Sequence, residues 1–259
     1  MALELKSEIT GQGGEPLLLL HGLFGSATNW RSIAKTLSDR REVHALDLRN
    51  HGASPWADTM DYPAMADDVA AYLDRHALQG ASVLGHSMGG KVAMALALAA
   101  PDKVARLIVA DIAPQAYADT LSPFAEAMRS VDLAAAASRT DVQRQLQALL
   151  PEPTVAPFLV QNLVSRNEHF DWRVNLGAIM AGMRGLAGFP AELRQRRYDA
   201  PVQVIAGALS PYVSSPDGAA FKPMFPQVQL EVIDGAGHWV HADKPAAFVE
   251  AVRRALDRR

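Results

Sequence analysis

A mostly parallel, twisted sheet with helices on both faces is the fold class that the sequence predicts, and three observations predict it. Short apolar runs recur at residues 17–20, 43–48, 81–84 and 104–112, with helical patterns between them. Strand, helix, strand at that spacing implies right-handed crossovers and parallel pairing. The runs show little polar alternation, as expected of strands buried on both faces. Finally, His21, Asn50, Ser87 and Asp111 fall at or just beyond the carboxyl ends of these runs. Ligands bind along that rim in open α/β sheets.

The elements follow in order. Residues 3–9 alternate with period two and read as an edge strand, followed by a turn over 11–14. Leu17-Leu18-Leu19-Leu20 is a buried strand running into His21-Gly22-Leu23-Phe24-Gly25-Ser26. Residues 29–37 read as a helix with Trp30, Ile33 and Leu37 on one face. The strand at 43–48 leads into a loop of turn formers at 49–55, and 62–78 is a helix with Met65, Val69, Tyr72 and Leu73 spaced for a core face. Next comes Gly85-His86-Ser87-Met88-Gly89, then an Ala/Leu/Val helix over 91–100 stopped by Pro101, then the strand ending at Asp111.

The pattern breaks after Ala113. Residues 116–197 show no clear strand and read as helices near 132–150, 155–165 and 171–184, with apolar surface from Leu163, Trp172, Met180, Met183 and Leu186. The expectation is a helical cap over 116–197, inserted in a core made of 1–115 and 198–259. Strands at 202–206 and 228–233, a short helix at 217–224, the loop Asp234-Gly235-Ala236-Gly237-His238-Trp239 and a helix at 245–256 complete the core.

Composition narrows the function classes. At 259 residues, 49% hydrophobic, the chain suits one large α/β domain. A net charge of −3 without a basic block argues against nucleic acid as a partner. Arg253-Arg254 and Arg258-Arg259 read as a solvated helix end. The chain has no cysteine, which rules out disulfides, a thiolate nucleophile and Cys-ligated zinc. The first ten residues lack a signal-type apolar core, and no apolar run is long enough to span a membrane. A cytoplasmic protein is expected, with oligomeric state open between monomer and dimer.

Gly85-His86-Ser87-Met88-Gly89 carries the chemistry. A strand reversing into a helix within two residues forces the intervening serine into a strained conformation and lifts its hydroxyl clear of the sheet. Glycines at 85 and 89 let the two backbones approach. Ester attack needs a base beside the hydroxyl and a group that orients the base. Of the eight histidines, His238 follows a core strand in a glycine-rich loop and is the expected base. His86 should point away from Ser87. His241 reads as a packing residue, and His44, His76 and His169 as strand, helix and cap surface. Asp111 is the expected acid, giving the chain order Ser87, Asp111, His238. Asp217 is its rival, and Asp234 lies too near His238 along the chain. The Met88 N–H and Leu23 N–H are the expected oxyanion donors, with Phe24 in reserve. No dinucleotide fingerprint, Walker lysine motif or metal-spaced histidine set is present, so neither cofactor nor metal is expected.

Taken in order, the His21-Gly22-Leu23-Phe24-Gly25 loop, Asp47-Leu48-Arg49-Asn50-His51-Gly52-Ala53-Ser54, the serine motif through Gly90, and Gly235-Ala236-Gly237-His238-Trp239 resemble the α/β-hydrolase superfamily. The longer strings through Lys91 and from Val109 to Pro114 look most like small cytosolic esterases of the YbfF type. The resemblance implies hydrolysis of short- to medium-chain acyl esters through an acyl-enzyme, with acyl thioesters as an alternative and a small apolar acyl ester as the partner. Many members carry the acid just after the strand that is here 202–206, where this chain has Ser210, so the resemblance also implies an acid displaced to Asp111. Carbon–carbon bond hydrolysis or cofactor-free haloperoxidase chemistry on the same groups, and a ligand-sensing module, remain alternatives, because fold does not fix function.

Overall fold

The computed structural model describes residues 1–166, 169–213 and 218–258. A seven-stranded sheet forms its centre. β1 (Lys6–Thr10) is the edge strand and runs antiparallel to β3. β2 (Leu17–Leu20) is followed by a 3-10 turn and α1 (Arg31–Leu37). β3 (Val43–Asp47), α2 (Tyr62–Arg75), β4 (Ala81–His86), α3 (Met88–Ala99) and β5 (Val104–Ala110) come next. Asp61 starts α2 by accepting the Ala64 N–H, with Pro63 in the first turn, where a missing N–H costs nothing.

Alternate side chains of one strand bury on opposite faces. Leu17 and Leu19 of β2 pack with Trp30, Ile33 and Phe248, whereas Leu18 and Leu20 pack with Met65, Val69 and Val92. A strand with helices on both sides has no solvent face, which explains the unbroken leucine run. All pairings after β1 are parallel, in the order β1-β3-β2-β4-β5, continued by two later strands.

Between β5 and the next sheet strand lies the insertion: α4 (Ser122–Ser130), α5 (Arg139–Leu149), α6 (Ala156–Val160), β6 (Leu163–Arg166), β7 (His169–Trp172) and α7 (Leu176–Ala187). Here the structure corrects several expectations. The helix expected over 132–150 begins only at Arg139. Asp132 turns the chain by accepting the Ala135 N–H, and Ser138 caps a new helix by accepting the Asp141 N–H. Such side chains compete with helix continuation. The helix expected over 155–165 stops at Val160, and the one expected from 171 starts only at Leu176, because an antiparallel hairpin with Leu163 opposite Trp172 lies between them. Both of those residues are buried, and the Trp172 Nε1–H donates to the Met128 carbonyl at 2.9 Å. Two four-residue strands are too short for period two to show beside their helical neighbours. α7 starts late because Asn175 caps it, accepting the Ala178 N–H.

β8 (Val202–Gly207) and β9 (Val228–Ile233) complete the sheet, and α8 (Val240–Asp243) and α9 (Pro245–Asp257) close the chain. The helix expected at 217–224 is not found over its described part, where 219–224 are turns; Asp217 itself lies outside the described residues. His44 is not on a surface. It is buried in β3 between the Tyr72 hydroxyl at 2.8 Å and the Glu42 carboxylate at 2.7 Å.

Candidate active site

The turn from β4 to α3 places Ser87 at φ 52°, ψ −118°, a region that a residue with a Cβ rarely adopts. The strain is held from both sides. The Ser87 N–H donates to the Ala110 carbonyl of β5, and the Ser87 carbonyl accepts the Lys91 N–H. The glycines make the turn possible, because a Cβ on Gly85 would stand 2.1 Å from the Gly89 carbonyl oxygen and one on Gly89 2.4 Å from that of Leu20. The result is a hydroxyl held just above the first, unpaired N–H groups of α3.

His238 arrives from the loop after β9, where Gly235 takes φ 67°. Its Nε2 lies 3.0 Å from Ser87 Oγ and its Nδ1 2.7 Å from Asp111 Oδ2. A carboxylate only accepts, so Nδ1 carries the proton and Nε2 keeps a lone pair for the serine hydroxyl. Asp111 stands just past β5 at φ 53° and is fully buried. Its Oδ1 accepts the Gly207 N–H at 3.0 Å, and Ser210 Oγ donates to Oδ2 beside the imidazole. Buried polar oxygens need such donors in place of water. The structure therefore brings Ser87, His238 and Asp111 into one hydrogen-bonded line.

The chain around the first turn of α3 offers two further donors. No hydrogen bond to the Leu23 or Met88 N–H is found among the described residues, and both residues border the cavity against Ser87. Phe24, the reserve donor, is unavailable: its N–H is bound to His51 Nε2 at 3.1 Å. His51 Nδ1–H in turn donates to the Arg49 carbonyl at 2.9 Å. His21 works alike, donating to the Gly22 carbonyl and accepting the Leu48 N–H at 3.0 Å. Burial lowers the His21 pKa to about 4 and the His51 pKa to about 3, so both stay neutral and keep these lone pairs.

Some residues were not legible from sequence. Asn50 is not in the site. It is buried, and its side chain accepts the Ala57 N–H and an Asn175 N–H, tying its loop to the start of α7. His86 donates from Nε2 to the His238 carbonyl at 2.8 Å, fixing the backbone of the base. Tyr212 lays its ring 4.2 Å from that of His238. Lys91, one turn beyond Ser87, has its ammonium against the Ala187 and Gly188 carbonyls, at 3.2 and 2.6 Å, with the Tyr62 and Tyr117 rings beside it. The only sequence signal for Lys91 is its oddity as a charge in an otherwise apolar helix.

Among the described residues, no group of three or more His, Asp or Glu side chains could hold a metal ion, and no helix is long and apolar enough to cross a membrane.

A serine, histidine and aspartate on the carboxyl rim of a mostly parallel sheet, in the chain order Ser-Asp-His, define a class of hydrolase. A family model described as alpha/beta hydrolase fold matches residues 15–245, and the chain belongs to that family. It is 37% identical to esterase YbfF of Escherichia coli strain K12, over 93% of each chain. It is 42% identical to the sn-1-specific diacylglycerol lipase ABHD11 of Xenopus tropicalis, over 92% of this chain and 77% of that one. The solved structure of a marine microorganism esterase superposes with a TM-score of 0.91 at 36% identity, covering 98% of this chain and all of the other.

Proposed function

We propose that the protein is a serine carboxylesterase in which Ser87 is the nucleophile, His238 the general base and acid, and Asp111 the residue that orients the base. Ser87 Oγ attacks the ester carbonyl as its proton passes to His238 Nε2. The imidazolium is stabilised by Asp111 at Nδ1. The carbonyl oxygen, now an oxyanion, takes the Leu23 and Met88 N–H groups, each such donor being worth on the order of 10²–10³ in rate. Collapse breaks the bond to the leaving oxygen, which receives the proton from His238. Water then attacks the acyl-enzyme, giving its proton to His238, and the acid leaves as Ser87 is reprotonated. A thioester follows the same steps with a thiol leaving group.

The observation that carries this reading is the unbroken line Ser87–His238–Asp111, at 3.0 and 2.7 Å. The relatives named esterase and lipase support it. The insertion between β5 and β8 acts in this reading as a cap over the core formed by 1–115 and 198–259, because its Phe124, Phe158, Met183 and Leu186 wall the cavities against Ser87. A small apolar acyl ester is the substrate class expected of such walls.

The test is hydrolysis of 4-nitrophenyl esters and labelling by a fluorophosphonate, with wild type and Ser87→Ala side by side. Wild type is expected to turn over and to label. Ser87→Ala is expected to lose both, with kcat down by roughly 10⁵-fold or more. Equal turnover by the two proteins would defeat the assignment.

A further inference from the structure

The Leu23 N–H projects from a turn that its own sequence does not favour. The Gly25 N–H donates to the Gly22 carbonyl at 2.9 Å, closing a β-turn with Leu23 and Phe24 at its centre. Phe24 takes φ 60°, in the left-handed region where this position of a turn ordinarily has glycine or asparagine. A bulky residue stays there only where its surroundings hold it.

Each of the three peptide groups of the turn is held. His21 Nδ1–H and the Gly25 N–H both donate to the Gly22 carbonyl. The N–H and C=O of a trans peptide point in opposite directions, so these two contacts aim the Leu23 N–H away from themselves. His51 Nε2 accepts the Phe24 N–H at 3.1 Å. The third peptide is held by Asn162, whose Nδ2–H donates to the Phe24 carbonyl at 2.7 Å. His21, His51 and Asn162 are all buried. The two histidines belong to the loops after β2 and β3. Asn162 comes from the segment between β5 and β8, 138 residues from Phe24 along the chain.

Asn162 is itself firmly placed. Its N–H donates to the Leu159 carbonyl at 3.0 Å, in α6, and its carbonyl accepts the Arg173 N–H at 2.8 Å, just past β7. Its side-chain amide faces two carbonyls, those of Phe24 at 2.7 Å and Leu159 at 3.4 Å, so the nitrogen, its only donor, is the end turned toward Phe24.

Resting on the esterase reading above, with the Leu23 N–H as an oxyanion donor, we infer that Asn162 is a positioning residue for the oxyanion hole. It acts through the Phe24 peptide and not on the substrate. The donor is in place only while the chain between α6 and β6 is seated on the Phe24 carbonyl. Without that hydrogen bond, Phe24 relaxes toward negative φ, the turn swings, and the Leu23 N–H leaves the position of the oxyanion. The loss falls on the transition state, because the neutral ester carbonyl draws far less on this donor than the oxyanion does.

Two variants test this. Asn162→Ala removes the donor, and Asn162→Leu removes it while keeping most of the volume, so failure of one to fold leaves the other to decide. Each is assayed with 4-nitrophenyl butanoate and inhibited with 1,1,1-trifluorohexan-2-one or with 1,1,1-trifluorohexan-2-ol. Ser87 Oγ adds to the carbon of the ketone, the serine proton passes to His238 Nε2, and the carbonyl π pair becomes an oxyanion. The alcohol cannot form that oxyanion. Titration with a fluorophosphonate sets the concentration of competent enzyme, so partial unfolding does not enter the result. A fall in kcat/KM of about 10–100-fold is expected, with the ketone's Ki weakened by the same factor and the alcohol's Ki within about twofold of wild type. The His238 limb of the pH profile is expected to stay in place. A kcat/KM within about twofold of wild type, or ketone and alcohol weakened alike, would overturn the role of Asn162 with the esterase reading intact. Absence of wild-type turnover above that of Ser87→Ala would instead overturn the esterase reading, and the role of Asn162 with it.

Discussion

Asp111 holds its position at the cost of a left-handed backbone, φ 53°, and of complete burial. Three donors offset that cost: the Gly207 N–H, the Ser210 hydroxyl and the His238 Nδ1–H. Replacing it with asparagine keeps the shape, yet the amide can present an N–H to Nδ1 and favour the wrong imidazole tautomer. Asp111→Asn is therefore expected to lower kcat by on the order of 10⁴, at nearly unchanged KM. Ser210 touches the same carboxylate oxygen that His238 does. Adding Ser210→Asp to Asp111→Asn should restore part of the loss, read as recovery of kcat in the double variant. No recovery would mean that β8 cannot present an acid to His238 from position 210.

At the scale of elements, the junction of β4 and α3 brings two backbones into close approach. A methyl on Gly85 would meet the Gly89 carbonyl oxygen at 2.1 Å and the Gly90 nitrogen at 2.6 Å, both backbone atoms that cannot swing aside. Gly85→Ala is expected to cost about 3 kcal/mol or more, measured as a shift in the urea midpoint. A control at Gly185, where a Cβ would meet nothing within 4 Å, should be neutral or slightly stabilising. The loop after β3 is held differently, by a buried pair in which Arg49 meets both Asp68 oxygens at 2.7 and 2.8 Å. Arg49→Met would leave the Asp68 carboxylate buried without its partner, and a loss of roughly 3–5 kcal/mol in chemical denaturation is expected.

Across the whole molecule, Lys91 ties α3 to the end of α7. It belongs to α3, and its ammonium meets carbonyls at the C-terminus of α7, where a cation suits the helix dipole. The Tyr62 hydroxyl donates to the Leu186 carbonyl and the Tyr117 N–H to that of Ala187, so α2 and the chain after β5 also meet this helix end. Burial pushes the Lys91 pKa down to about 7, from 10.5 in an exposed chain. Below pH 7 both folded and unfolded states hold the proton, and the folded state bears the full burial penalty. Between about pH 7 and 10.5 the unfolded chain binds more protons, so stability rises with pH through that window. Lys91→Met should flatten that rise, seen by comparing urea midpoints at pH 7 and 9.5. An unchanged pH slope in the variant would show that other groups set it.

The strands of the main sheet, the elbow at Ser87 and the candidate residues Ser87, His238 and Asp111 are legible in the sequence, because each is a local matter; the order of the strands is not. A doubly buried strand announces itself as an apolar run, a strained turn as glycines around a serine, and a loop base as a histidine between small residues. The segment between β5 and β8 is less legible. Its hairpin is only four residues a side, and its helix starts depend on caps at Ser138 and Asn175 that compete with weak periodicity. What no local pattern carries is partnership across the chain. His86 on the His238 carbonyl, Ser210 on Asp111, His51 on Phe24 and Lys91 on the end of α7 join residues 27 to 152 positions apart. The residue types at these places were visible in the sequence. Their pairing follows from how the layers pack, which only the folded chain decides.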